Sequence, residues 1–146
     1  MRARKLIPFC MEDSRLGVVL DSNVWIAFLN KEDSQHGKAT KLMLETKDRI
    51  LVPEYVLIET ASVLKNYKRT AEAIEFVRTI LKNVGIFLPS NTLAYETGIL
   101  FCERKDRLSF TDSALLVLSK EYRVVTFDRE LERAIARERH LRGRSL

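Results

Sequence analysis

The chain has 146 residues, of which 46% are hydrophobic and 31% charged, and its formal net charge is +5. This length and composition are typical of one globular domain with a real core, and no apolar run approaches the roughly 18 residues that a membrane span needs. The start, MRARKLIPFC, does not resemble a secretory signal, so we expect a cytoplasmic protein with no membrane partner. Two cysteines and two histidines provide neither a disulfide framework nor the ligands of a Cys/His zinc site.

The positive charge lies at the two ends of the chain. Residues 1–16 contribute +2 and residues 129–146 contribute +3, whereas residues 17–128 are neutral. Basic ends suit a polyanionic partner such as nucleic acid, although solvated ends without a ligand have the same composition. We therefore expect an N-terminal extension at 1–16, one domain at 17–138 and a basic C-terminal tail at 139–146. The five candidate phosphate contacts, which equally fit a solvated helix face, are Arg133, Arg137, Arg139, Arg142 and Arg144.

Four short apolar triplets predict strands at 18–20, 50–52, 86–88 and 124–126. Helical patterns separate them, at 22–30, 38–47, 54–67, 70–83, 91–105 and 109–122, and a last helix begins at 128. Apolar strands without in-strand alternation, separated by helices, are typical of a parallel sheet with both faces covered. The pattern predicts a single-domain, three-layer α/β/α sandwich with a Rossmann-like central sheet.

Acidic residues follow the first and last predicted strands. Asp21 comes directly after Leu20, and Asp128 follows the last triplet by two residues. Ligands of open α/β sheets bind at the carboxyl ends of strands, so both carboxylates stand where functional groups are common. Each also fits a plain helix N-cap.

Two further acids lie on predicted helices. Glu59 follows Val56 by three residues and so interrupts an apolar stripe. It is a ligand, or it pairs with Lys65 or Arg69, or the stripe is in fact exposed. Asp112 completes a capping box with Ser109.

These four acids all fall near helix N-terminal ends, which right-handed crossovers bring to one edge of the sheet. Converging carboxylates need a counter-charge, and hard oxygen ligands select Mg²⁺ or Mn²⁺. Such sites typically serve phosphodiester cleavage. We therefore predict a catalytic metal site formed by Asp21, Glu59, Asp112 and Asp128. Glu96 is either a fifth acid or a surface residue, and Trp25 is predicted to be core.

Other phosphate chemistry fits less well. A phosphotransfer enzyme of the haloacid dehalogenase type needs an Asp two residues after the nucleophile, and that position holds Asn23. No glycine-rich loop follows a predicted strand, which excludes P-loop and dinucleotide-binding motifs.

Three segments together resemble the PIN-domain family, and most closely its small VapC-type toxin ribonucleases. They are LDSNVWIAFL, VLIETASVL and LSFTDSALLVLSKEYRVVTFDREL, and the similarity covers residues 17–132. The resemblance implies a PIN-like fold and a Mg²⁺- or Mn²⁺-dependent endoribonuclease that uses the four acids, with Ser22, Asn23 and Thr126 as supporting polar residues. It also implies an RNA substrate, a cognate antitoxin and a homodimer. The alternative is an RNA-processing nuclease, or a catalytically silent RNA- or protein-binding module, outside any toxin–antitoxin system.

Overall fold

The computed structural model describes residues 16–83, 87–88 and 91–143. Most of the predicted N-terminal extension and the end of the basic tail lie outside these residues. The described residues form four strands and seven helices. In chain order they are β1 Val18–Leu20, α1 Ser22–Leu29, α2 His36–Glu45, β2 Ile50–Pro53, α3 Glu54–Asn66, α4 Thr70–Lys82, β3 Phe87–Leu88, α5 Asn91–Glu103, α6 Phe110–Leu118, β4 Arg123–Val125 and α7 Arg129–Gly143.

The strands form one sheet in the order β3-β2-β1-β4, and every neighbouring pair is parallel. Val19 of β1 is in register with Leu51 of β2 and with Val124 of β4. All three residues of β1 are completely buried. Because successive side chains of a strand point to opposite faces, both faces of the sheet are covered, which confirms the predicted α/β/α layering.

The core lies between the sheet and its helices. Leu115 of α6 and Leu131 of α7 are fully buried, and each large side chain of this kind stabilises the fold by about 1.5–3 kcal/mol. Trp25 of α1 is also part of the core, as predicted, with its ring 5.1 Å from that of Phe76. Within the described residues, no helix has the combined length and apolarity to span a bilayer.

The largest differences from the predicted helix boundaries are in α6 and α7. The pattern predicts α6 as far as residue 122, but the helix ends at Leu118, where the Ser119 hydroxyl donates to the carbonyl of Leu116 at 2.7 Å and the chain turns into β4. Helix α7 continues to Gly143, so residues 139–143 of the predicted tail are helical.

The carboxyl ends of β1 and β4 lie side by side. Leu20 and Val125 are in register, so Asp21 and Thr126 are the next residues on adjacent strands. The Asp21 amide donates to the Val125 carbonyl at 2.9 Å, which extends the pairing to the point where both chains leave the sheet.

Candidate active site

Asp21 is the centre of a polar network at this sheet edge. Asp21 is only 4% exposed, and both of its carboxylate oxygens accept hydrogen bonds. Oδ1 accepts from the Ser22 amide at 2.6 Å and the Ser22 hydroxyl at 3.3 Å. Oδ2 accepts from the Thr126 hydroxyl at 2.7 Å and the Asn23 side-chain amide at 2.9 Å.

Asn23 and Thr126 connect Asp21 to the segment that follows β4. The Asn23 carbonyl oxygen accepts from the Phe127 amide at 3.1 Å, and the Thr126 hydroxyl oxygen accepts from the Asp128 amide at 2.9 Å. Asn23 also donates to Thr126 at 3.1 Å. The network thus ties together residues more than 100 positions apart in the sequence and holds the Asp21 carboxylate in one orientation.

Two more carboxylates influence the charge of Asp21. Burial raises the pKa of the Asp21 carboxyl above its ordinary value of 3.8, the hydrogen bonds from Thr126 and Ser22 lower it, and the negative charges of Asp112 and Glu59 raise it again. The net pKa shift is upward. The fold therefore brings Asp112 and Glu59 within electrostatic reach of Asp21, at a cost to the ionised form of Asp21.

Asp112 and Asp21 both have the structural roles that the sequence allowed. Asp21 is the N-cap of α1. Asp112 completes the capping box of α6, because its Oδ2 accepts from the Ser109 amide at 2.8 Å and the Ser109 hydroxyl at 2.7 Å. Capping fixes the position of each carboxylate and does not prevent its remaining lone pairs from binding a ligand.

Asp128 lies at the same edge, at the start of α7. Its Oδ1 accepts from the amides of Glu130 and Leu131 at 2.7 and 2.9 Å, so it caps the helix. The Asp128 backbone amide donates a hydrogen bond to the Thr126 hydroxyl, which in turn donates to Asp21. Asp128 is exposed.

Glu59 lies half-buried on α3. Within the described part of the chain, it has no hydrogen bond or ion pair. The partners that the sequence allowed do not bind it: Arg69 pairs with Glu32 and Glu72 instead. Glu96 is exposed on α5.

The comparisons with known proteins agree with this architecture. The sequence model of the PIN domain family matches residues 18–136. This chain belongs to the PIN domain family. The structure is similar to that of Mycobacterium tuberculosis VapC20, described as a toxin that cleaves the sarcin–ricin loop, with a TM-score of 0.70 over 80% of this chain and 94% of that chain. At 19% identity, this similarity shows a shared fold. The comparison with curated proteins returns no significant match.

The donor set of this PIN domain fits a hard divalent cation in type and in charge. Among the described residues, Glu59 has no hydrogen bond or ion pair, and Asp112 and Asp128 each have one carboxylate oxygen without a hydrogen bond. The negative charges of Asp112 and Glu59 both raise the pKa of Asp21, so both oppose its ionised form. However, within the described ranges no three His, Cys, Asp or Glu side chains lie close enough to share one metal ion. The metal-ligand roles therefore stay predictions.

One residue near Asp21 was not predicted from the sequence as part of the site. Tyr55 lies one helical turn before Glu59 on α3, and its buried hydroxyl has no hydrogen-bond partner in the described structure. Burial raises the pKa of Tyr55, and the negative charge of Asp21 raises it further. The spacing of four residues to Glu59 was the available signal, because residues i and i+4 share a helix face.

Proposed function

We propose that this PIN domain is a metal-dependent endoribonuclease that hydrolyses RNA phosphodiester bonds. The observation that supports this most is the buried Asp21 carboxylate, held at a sheet edge by four hydrogen bonds and repelled by the charges of Asp112 and Glu59. A purely structural cap needs neither the burial nor the neighbouring charges. Such a cluster of oxygen ligands is typical of Mg²⁺ or Mn²⁺ sites.

In this proposal Asp21 is the central ligand, and Asp112, Asp128 and Glu59 complete the set. When bound, the divalent cation supplies a Lewis acid that activates water and stabilises negative charge on the phosphate. Glu59 is the acid with no protein partner in the described residues, so it is free to orient the attacking water and accept its proton.

The supporting polar residues fix the geometry of this centre. Thr126 and Asn23 donate to the same oxygen of Asp21, and Ser22 donates to the other. Both oxygens are therefore held at set directions before any ligand arrives. Such preorganisation lowers the cost of assembling a catalytic site.

We further propose that the protein acts in the cytoplasm as the toxin of a toxin–antitoxin pair and forms homodimers. The similarity to VapC20, itself described as a toxin, supports the toxin role. Exposed apolar side chains are available for protein partners: Tyr67, which follows α3, and Ile74 and Leu81 of α4 are 63%, 44% and 55% exposed.

Substitution of Asp21 by Asn tests the activity. We expect Asp21→Asn to abolish RNA cleavage in Mg²⁺ or Mn²⁺ while the far-UV circular dichroism spectrum stays that of the parent. Glu45→Gln is the matched control, because it removes one negative charge from an exposed position on α2. The measurement is cleavage of a panel of single-stranded, tRNA and rRNA fragments, with and without a chelator. If Asp21→Asn cuts as fast as the parent, the mechanism is wrong.

A second candidate function is a silent RNA- or protein-binding module. It is favoured by the finding that, among the described residues, no three His, Cys, Asp or Glu side chains lie close enough together to hold one metal ion. Saturable Mn²⁺ binding without cleavage of any RNA in the panel would support this module over the nuclease.

A further inference from the structure

A cleft of about 240 Å³ lies between helices α3, α5 and α6. Its walls are mostly apolar. They include the side chains of Ile58, Leu93, Ala94, Phe110 and Ala114. This volume is smaller than the roughly 300–1,000 Å³ of pockets for drug-sized ligands, so the cleft has room for a single small ring.

Two hydroxyl groups that line the cleft have no hydrogen-bond partner among the described residues. The Tyr55 and Thr97 hydroxyls are both buried, and neither makes a hydrogen bond in the described structure. Thr97 has no exposed surface at all. An unsatisfied buried hydroxyl destabilises a protein by about 1–3 kcal/mol. Two such hydroxyls in the same small cleft therefore indicate that polar groups from outside the described chain form hydrogen bonds with them.

The cleft lies beside the acidic centre. Tyr55 is close enough to Asp21 that the carboxylate charge raises the Tyr55 pKa. Thr111, another lining residue, immediately precedes Asp112 on α6. A group in the cleft is therefore a neighbour of any phosphate positioned at the acids.

We propose that the cleft binds a nucleobase of the RNA adjacent to the cut phosphodiester and thereby selects the cleavage site. This inference rests on the proposed ribonuclease function and adds the determinant of its sequence preference. A hydroxyl both donates and accepts, so Tyr55 and Thr97 match the mixed donor and acceptor edge of a base.

Two observations favour a base over other parts of the substrate. Phe110 is 49% exposed, and its ring is held edge-to-face against Phe101 at 5.6 Å, so it offers an aromatic surface for stacking. Of the described residues that line the cleft, Glu54 alone is charged. A negative residue disfavours a phosphate there.

The test uses substitutions that remove a hydroxyl and keep the shape: Tyr55→Phe and Thr97→Val. Cleavage in Mn²⁺ is measured on four single-stranded oligonucleotides that differ only in the base next to the cut, one oligonucleotide for each base. We expect each variant to lose about tenfold in preference between the best and worst base, since discrimination by one hydrogen bond is of that order.

Thr60→Val is the matched control. Thr60 lies on α3, is fully buried and also has an unpartnered hydroxyl, but it does not line the cleft. It should leave the base preference unchanged. If Tyr55→Phe and Thr97→Val behave like Thr60→Val, raising only the melting temperature, the nucleobase proposal is overturned.

Binding separates this inference from the nuclease proposal. The same four oligonucleotides are bound to the Asp21→Asn variant, with and without Thr97→Val, and followed by fluorescence anisotropy. Base-dependent binding that Thr97→Val removes, without any cleavage by the parent, supports the cleft and contradicts the nuclease. Cleavage with a preference that none of the cleft substitutions changes contradicts the cleft alone. A Phe110→Leu variant that alters the oligomeric state and leaves the base preference intact would instead make the cleft a protein interface.

Discussion

Asp21 combines two demands on one side chain. Its oxygens hold the start of α1 and the end of β4, while its charge is buried beside Asp112 and Glu59. The hydrogen bonds favour the ionised form, but burial and the two neighbouring carboxylates oppose it more strongly. The fold thus holds the Asp21 side chain in place while the same surroundings destabilise its charge, as is common for carboxylates at functional sites.

This balance predicts how the stability of the metal-free protein depends on pH. The folded-state pKa of Asp21 lies above its ordinary value, so the folded chain holds the proton more tightly than the unfolded chain. The contribution of Asp21 therefore favours folding at low pH and is lost as the pH rises through the folded-state pKa. Urea unfolding at a series of pH values, in the presence of a chelator, should show that the free energy of unfolding of the parent declines in this way. The Asp21→Asn variant should lack this decline. Equal slopes in the two proteins would contradict the raised pKa.

At the scale of elements, Gly17 sets the distance between β1 and β2. Its φ is +155°, and an added Cβ would lie 2.7 Å from the carbonyl oxygen of Arg49. That oxygen already accepts from the Val18 amide at 2.9 Å. The close approach of β1 to β2 therefore requires a residue without a side chain at position 17. The position of Asp21, at the end of β1, depends on this approach.

Gly17→Ala should therefore destabilise the fold by about 1–3 kcal/mol, the usual cost of forcing extra volume into a packed site. Gly37→Ala is the matched control, because Gly37 lies in α2 with no atom within 4 Å of an added Cβ. There the same change should be neutral or stabilise the protein by up to about 0.5 kcal/mol through helix propensity, because Gly37 is only the second residue of α2. Urea unfolding of the two variants measures both effects, and a neutral Gly17→Ala would show that the strand contact is not tight.

The elements also show how far sequence patterns reach. The apolar triplets locate all four strands to within one residue, because strands covered on both faces are apolar throughout. The Ser109–Asp112 capping box is likewise local, and it was predicted correctly. The early end of α6 and the strand order depend on contacts between distant segments, which no local pattern records. The four-residue spacing from Tyr55 to Glu59 is a local signal, but the burial of the Tyr55 hydroxyl arises from helix packing and has none.

At the scale of the whole molecule, positive charge is concentrated beside the acidic edge. A cavity of about 310 Å³ lies between α7 and the loop before α6. Its charged lining residues are Arg104, Arg107, Arg133, Arg137, Asp106 and Glu130. Arg104 pairs with Asp106 and Glu138, whereas Arg107 and Arg133 have no ion pair among the described residues. Both flanking helices begin at the acidic edge, with the caps Asp112 and Asp128.

If RNA crosses this edge, Arg107 and Arg133 are placed to contact its backbone. The double change Arg107→Ala and Arg133→Ala should weaken binding of single-stranded RNA to the Asp21→Asn variant. It should also reduce the slope of log affinity against log salt by about 0.7 for each phosphate contact that is lost. Arg78→Ala with Lys82→Ala removes the same charge from the exposed face of α4 and is the control. Because long-range attraction depends on net charge, both pairs should lower affinity at low salt, but only contacts with phosphate change the slope strongly. Identical slopes of log affinity against log salt for the two double variants would mean that Arg107 and Arg133 attract RNA at long range without contacting its phosphates.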